Sequence, residues 1–171
     1  MKKGKEDRAM AQNVHVWVRG PNVGEVRGDS TVTSMDREGS IEAFKLEYMV
    51  QTHREASGIA TGERSHGPVT ITKRIDRSSP ILHQALCNNE ELEVTIKFYR
   101  PNPIGDGTTE HFYTIRLRYG RISSIKTISP STFDESTANV PAMEEVSFVF
   151  GEITWIYESA GIEFMDEWRV A

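Results

Sequence analysis

The feature that most constrains this chain is a period-two alternation of apolar and polar residues. It recurs in short segments that are separated by turns rich in Gly, Pro and Asn. Such alternation is typical of strands that place one face on a core and the other in solvent. The pattern predicts strands over residues 13–19, 41–52, 69–75, 92–100, 111–119, 121–129 and 144–158. In the last segment the apolar register changes at Gly151, which predicts a β-bulge or a sharp bend there.

One segment has a helical period instead. Ser79 is predicted to be the N-cap, and Pro80 suits the first helical position because its missing N–H costs nothing there. We expect the helix to end near Asn88, with one apolar face formed by Ile81, Leu82, Ala85 and Leu86. Cys87 lies in the same apolar pattern and is expected to be buried. As the single cysteine, it excludes an internal disulfide.

Many short strands and one short helix predict the fold class. The protein is expected to be mainly β, an antiparallel β-barrel of two packed sheets with one short α-helix on the side. The length of 171 residues suits a single domain, which we place at residues 12–171. Residues 1–11 are mostly polar or charged and have no period, so they are predicted to form a disordered N-terminal arm.

Two long polar segments interrupt the strands. Residues 52–67 are rich in Gly, Ser, Thr and charge, too polar to pack and too long for a tight turn. They are predicted to form an extended, mobile loop. Residues 130–141 are predicted to form a second, exposed loop.

The charge pattern narrows the classes of partner. The chain carries 20 basic and 25 acidic side chains, mixed along its length, for a net charge of −5. Without a basic stripe, neither nucleic acid nor a membrane surface is an expected partner. No apolar run approaches the roughly 20 residues that span a bilayer, and no secretory signal is recognisable. If the protein leaves the cell, we expect another machine to export it.

No catalytic or metal-binding pattern stands out. The five histidines are scattered, at positions 15, 53, 66, 83 and 111, without metal-ligand spacing. The glycines at 105 and 107 lack the Lys-Ser/Thr pair and the helix of a phosphate-binding loop, and a Gly-x-Ser-x-Gly elbow does not occur. We therefore expect no metal, no cofactor and no enzymatic activity.

A run of residues at the start of the predicted helix carries a family resemblance. It reads Lys73-Arg74-Ile75-Asp76-Arg77-Ser78-Ser79-Pro80-Ile81-Leu82, with Ala85 after it and Arg64, His66 and Pro68 before it. Residues 88–100, 145–148 and 153–155 continue the likeness in the same order. Together these stretches resemble the haemolysin-coregulated (Hcp) proteins of bacterial type VI secretion, over roughly residues 12–157.

The resemblance implies a structural subunit of the type VI secretion inner tube. Such subunits form hexameric rings that stack into a tube, which is expelled from the cytoplasm into target cells without a signal peptide. The lumen can carry effectors. Sheath and spike proteins of the machine are then further partners, and neither nucleic acid nor membrane is one.

The resemblance also suggests two functional regions. The segment at residues 52–67 corresponds in order to the family's extended loop, which reaches the neighbouring ring. Its candidate ring-stacking residues are Ser57, Gly58, Gly62, Glu63, Arg64 and His66. The polar face of the second predicted strand is expected to line the lumen with Lys45, Glu47 and Met49, while Phe44, Leu46, Tyr48 and Val50 form its other face.

The strand pattern by itself leaves another function open. A monomeric small-ligand-binding β-barrel of lipocalin type has the same short alternating strands and one helix. It would contain a ligand cavity and would not assemble. An effector enzyme fused to a tube protein is a third possibility, but it would need a longer chain.

Overall fold

The computed structural model describes residues 12–168, and strands account for 54% of these residues against 10% for helices. The predicted mainly β class is thereby confirmed. The strands are β1 (Val14–Gly20), β2 (Gly24–Val26), β3 (Ile41–Glu47), β4 (Val50–Arg54), β5 (Ala60–His66), β6 (Val69–Arg74), β7 (Leu92–Pro101), β8 (Thr109–Ile128), β9 (Met143–Val149), β10 (Glu152–Tyr157) and β11 (Ile162–Glu167). The α-helix α1 spans Ser78–Cys87, and short 3-10 turns lie at Ser34–Asp36 and Glu158–Ala160.

Six strands form a closed antiparallel barrel in the order β8-β7-β1-β3-β6-β9. The circuit closes because β8 is 20 residues long: residues 109–120 pair with β7, and residues 121–128 pair with β9. Closure leaves the barrel without an open edge. β10 pairs with the first half of β8, and β11 pairs with β10, so these two strands extend the sheet beyond β8.

The bend of β8 lies at Tyr119 and Gly120. Tyr119 has a φ of +52°, in the left-handed region that few non-glycine residues adopt. A Cβ on Gly120 would lie 2.9 Å from the carbonyl oxygen of Leu92, so only glycine fits there. The sequence predicted two separate strands at this point. The structure has one bent strand, because the glycine changes the chain direction without ending the pairing.

The predicted change of register at Gly151 is a bend between β9 and β10. The backbone N–H of Gly151 donates a hydrogen bond to the carbonyl of Arg118, with an N···O distance of 3.1 Å. Phe148 and Ile153, on either side of the bend, are both fully buried. The bend therefore keeps Phe148 and Ile153 on the core, but the second register does not hold to its end, because Tyr157 is 37% exposed and Ile156 is buried instead.

The helix packs Leu82 and Ala85 into the barrel core, in agreement with the predicted apolar face. Two details of the prediction are wrong. The helix starts at Ser78, whose backbone N–H donates to the carboxylate of Asp76 at 2.9 Å, so Ser79 lies inside the helix and is not its N-cap. Cys87 is exposed, because it ends the helix on the side away from the core.

The predicted strand at residues 41–52 is also wrong in part. A bulge between Ala43 and Lys45 shifts its pairing with β6, so Phe44 points outward and is 41% exposed. The strand ends at Glu47, and Val50 belongs to a different sheet, where it is exposed. A bulge adds one residue to the alternation, which is why a strict period of two misassigned Phe44.

Other differences concern short or terminal segments. The strands β2 and β11 were not predicted, and Ile75 is exposed, just after the end of β6. The predicted disordered arm at residues 1–11 lies outside the described residues, as do residues 169–171.

Candidate functional site

The segment predicted to be a mobile loop is an ordered β-hairpin. β4 and β5 form their own two-stranded antiparallel sheet, from the pair Val50 and His66 to the pair Arg54 and Ala60. The turn is closed by a hydrogen bond from the Glu55 N–H to the Ile59 carbonyl, at 2.9 Å. The sequence did not predict this hairpin because its strands have no apolar face. Hydrogen bonds between the two strands satisfy the backbone N–H and C=O groups instead. Every residue from 50 to 64 is exposed.

The hairpin separates the six candidate stacking residues into two groups. Ser57 and Gly58 form the tip, where Gly58 has a φ of +86°, and Gly62 and Glu63 are exposed along β5. Arg64 and His66 lie at the base of the hairpin and contact β11. Four of the candidates are therefore exposed, and the other two make contacts within the subunit.

An ion-pair network joins the hairpin base to β11. Arg64 donates two hydrogen bonds to the Asp166 carboxylate, from Nε at 2.5 Å and from Nη2 at 2.7 Å. Nε2 of His66 lies 2.7 Å from the same carboxylate, and Nδ1 lies 2.6 Å from the Tyr48 hydroxyl. Because an ionised carboxylate only accepts hydrogen bonds, the Nε2 N–H of His66 is the donor to Asp166.

Aromatic side chains surround this network. The His66 ring is 1% exposed and lies among Tyr48, Phe150, Trp155 and Trp168. Trp168 meets it edge to face, with ring centroids 5.0 Å apart, and is fixed by a 2.7 Å hydrogen bond from its backbone N–H to the Gly151 carbonyl. We call Arg64, His66, Asp166 and Trp168 together the β5–β11 latch.

The ionisation of the latch follows from its contacts. Hydrogen bonds from Arg64 hold the pKa of Asp166 below its usual range, with a smaller contribution from His66. Burial, together with the nearby charge of Asp166, raises the pKa of Tyr48 to about 12. At neutral pH, Asp166 is therefore a carboxylate and Tyr48 keeps its proton.

The candidate lumen residues lie on the outer surface of the subunit. Lys45 and Glu47 project from β3, and their charged groups are 2.9 Å apart, with both side chains more than half exposed. Met49 is 59% exposed and lies in the connection from β3 to β4. An exposed pair of this kind is screened by solvent and contributes little to stability.

The motif before α1 forms a buried ionic cluster. Lys73 is fully buried, and its Nζ donates to Glu144 Oε1 at 2.6 Å and to Ser79 Oγ at 3.1 Å. The Ser79 hydroxyl donates to the same Glu144 oxygen at 2.6 Å, and Asp76 Oδ1 lies 3.0 Å from Nζ. These contacts join β6, α1 and β9, which gives the motif a structural role.

Within residues 12–168, no group of three or more His, Cys, Asp or Glu side chains is arranged to hold a metal ion. No helix in that range is both long and apolar enough to cross a bilayer.

Comparison with known proteins identifies the family. The family model described as "Type VI secretion system effector, Hcp" matches residues 17–157. This chain belongs to the Hcp family. The chain is 37% identical over 130 residues to the "Major exported protein" of Pseudomonas aeruginosa PAO1, a match that covers 75% of this chain and 74% of that protein. It is 39% identical over 64 residues to the uncharacterized protein YhhZ of Escherichia coli K12, which covers 37% of this chain and 16% of that protein.

Solved Hcp structures share the fold. The Hcp1 protein from the E. coli EAEC 042 pathovar superimposes with a TM-score of 0.78 at 26% identity, covering 93% of this chain and all of that one. The secreted protein Hcp3 of P. aeruginosa gives a TM-score of 0.74 at 27% identity, covering 94% of this chain and all of that one. The resemblance to the Hcp family is confirmed.

The function follows from the family. This Hcp chain is a subunit of the type VI secretion tube, which consists of hexameric rings, and proteins of this type are secreted by the system. The alternative of a monomeric ligand-binding barrel is wrong. Its interior cavity is also unsupported, because side chains such as Val16, Ile96 and Phe148 fill the barrel and are 0% exposed.

Proposed function

We propose that the β4–β5 hairpin of this Hcp subunit docks onto the next ring and that the subunit acts without catalysis. The supporting observation is the exposure of every residue from 50 to 64 in an ordered hairpin. Isolated two-stranded hairpins are marginally stable in water, so this one gains stability when a second surface covers it. Stacking is a heterologous contact, in which the hairpin meets a different surface of the next ring.

The composition of the hairpin favours a polar, reversible contact. Its strands carry Gln51, Thr52, Arg54 and Glu63, and the one large apolar side chain near the turn is Ile59, which is 65% exposed. A contact of this kind depends on hydrogen bonds and on charged side chains at its edge, with Ile59 as a single apolar anchor. Rings joined in this way can separate after the tube has left the cell.

Shortening the hairpin tests the proposal. Replacing residues 53–63 by Asn-Gly keeps the pair Thr52 and Arg64 across a two-residue turn, and it retains the latch. We expect hexameric rings of normal mass but no stacks in negative-stain images, because the docking element is gone. Stacks of normal length in this variant would refute the assignment.

A matched control shortens another exposed hairpin. Residues 102–108 connect β7 and β8, next to the pair Pro101 and Thr109, and can also be replaced by Asn-Gly. We expect this variant to stack normally. Equal loss of stacking in both variants would mean that shortening an exposed turn, rather than losing the docking element, causes the defect.

The proposal also places Lys45, Glu47 and Met49 on the lumen. A charged pair beside a flexible methionine suits weak binding of varied effector cargo, because methionine adapts its shape to different surfaces. The sheath and spike of the secretion machine are the other proposed partners. The subunit is proposed to be cytoplasmic before firing and to leave through the apparatus without a signal peptide.

Charge reversal at Glu47 tests the lumen assignment. Glu47→Arg removes the partner of Lys45 and places two cations side by side. We therefore expect the amount of effector exported with the protein to fall, or otherwise change, by about tenfold. The measurement is quantitative mass spectrometry of the exported fraction. The control is Glu135→Arg, in the exposed segment between β8 and β9. An unchanged effector profile in the Glu47 variant, with rings intact, would argue against the lumen position.

A further inference from the structure

We infer that Asp166 and Trp168 are positioning residues for ring stacking, because they hold the β4–β5 hairpin in one orientation through Arg64 and His66. The inference rests on the proposed role of the hairpin. It extends that role to residues about 100 positions away in the sequence, at the outer strand of the β10–β11 extension.

The hairpin is weakly attached to the barrel apart from the latch. Its two strands pair only with each other within residues 12–168, and they join the barrel through residues 48–49 and 67–68. One backbone hydrogen bond, from the Gly67 N–H to the Met49 carbonyl at 2.8 Å, connects these two segments. Two short connections allow the hairpin to pivot, so its direction depends on the side chains at its base.

Asp166 is the centre of the latch. Its carboxylate is 13% exposed and receives three N–H donors, two from Arg64 and one from His66. A bidentate guanidinium–carboxylate pair fixes angle as well as distance, because both groups are planar. The Arg64 Nη2 also donates to the Glu167 carbonyl at 3.0 Å, which aligns β5 with β11.

His66 makes the latch rigid as well as strong. Its two ring nitrogens have partners on opposite sides, Tyr48 and Asp166, and Trp168 packs on the ring. A buried polar network that is satisfied at both ends specifies one arrangement, since each alternative leaves a buried polar atom without a partner. Trp168 also places its ring 6.0 Å from the Arg64 guanidinium.

A fixed hairpin favours assembly through preorganisation. A pivoting hairpin would lose its freedom at each ring contact, and that loss opposes binding. A hexameric ring offers six such contacts, so a small loss at each contact accumulates over the whole ring. Breaking the latch should therefore reduce stacking even though every tip residue is unchanged.

The orientation of the hairpin is measurable directly. The exposed Cys87 and a second cysteine from Ser57→Cys accept spin labels, and rings assembled with excess unlabelled subunit report the distance within one subunit. We expect a narrow distance distribution with Asp166 present and a distribution at least twofold broader in Asp166→Asn. The control is Glu163→Gln, which removes a carboxylate from the same strand and should leave the distribution narrow. A narrow distribution in Asp166→Asn would overturn the inference.

Stacking is measured on the same variants. We expect Asp166→Asn to form hexamers but about tenfold fewer stacks, and Asp166→Glu to restore both narrow distances and stacking. A broad distribution with normal stacking would overturn the inference, because the latch would then orient the hairpin without affecting stacking; the shortened hairpin tests the docking role separately. If Asp166→Asn does not fold, Arg64→Gln breaks the same ion pair at its more exposed partner. The width of the distance distribution and the number of stacks then test the inference on that variant.

Discussion

Replacing Lys73 by methionine is expected to lower the free energy of unfolding by about 3–5 kcal/mol. The Lys73 ammonium is fully buried and lies 2.6 Å from Glu144 and 3.0 Å from Asp76. Methionine fills much of the same volume but leaves the Glu144 carboxylate, itself 1% exposed, without a counter-charge. Urea unfolding at one protein concentration measures the change, because assembly also adds to stability.

Two further variants test whether the unpaired Glu144 carboxylate causes this loss of stability. Lys126→Met makes the same chemical change at an exposed position of β8 and should stay within about 0.5 kcal/mol of the parent. The double variant Lys73→Met/Glu144→Leu removes both buried charges and should recover most of the loss. If Lys73→Met alone costs less than about 1 kcal/mol, the cluster is not the buried ion pair described above.

Truncation of Phe148 to alanine is expected to cost about 3–5 kcal/mol. Phe148 lies on β9 at the seam of the barrel, where it is opposite Val69 on β6 and Ile122 on β8. Its side chain is 0% exposed, so its removal leaves a cavity in the core as well as lost apolar burial. The measurement is the unfolding midpoint in urea, together with the slope of the transition.

The chain offers a matched control for this truncation. Phe133 is 99% exposed in the segment between β8 and β9, so Phe133→Ala makes the same chemical change in solvent. We expect its effect on stability to stay within about 0.5 kcal/mol. Similar losses of stability in the two variants would mean that Phe133 contacts another subunit or that Phe148 does not fill the seam.

Much of the barrel could be predicted because alternation reports which face of a strand is buried. The bend at Gly151 was also predictable, since the apolar register changes there between Phe148 and Ile153. Lys73 lies in the same register as the apolar Val69 and Ile71, which is unusual for a cation. What the alternation could not give was its partner Glu144, because the two residues meet only when β6 pairs with β9.

The errors have equally physical causes. A bulge at Phe44 adds one residue to the alternating pattern. The bulge is defined by the pairing of β3 with β6, so the sequence of β3 alone does not show it. The β4–β5 hairpin has no buried face, so nothing in its sequence distinguishes it from a loop. The latch depends on Asp166 and Trp168, which meet Arg64 only through tertiary structure, and no local signal marks them.

The bent strand β8 also affects how quickly the barrel can form. Its pairings with β7, β9 and β10 join segments that are close along the chain, so they need little loop-closure entropy. Two pairings are different, because β1 with β7 joins His15 to Lys97 and β6 with β9 joins Val69 to Phe148, which lie far apart in the sequence. We therefore expect these two closures to set the folding rate, in the millisecond-to-second range typical of proteins with distant strand pairing.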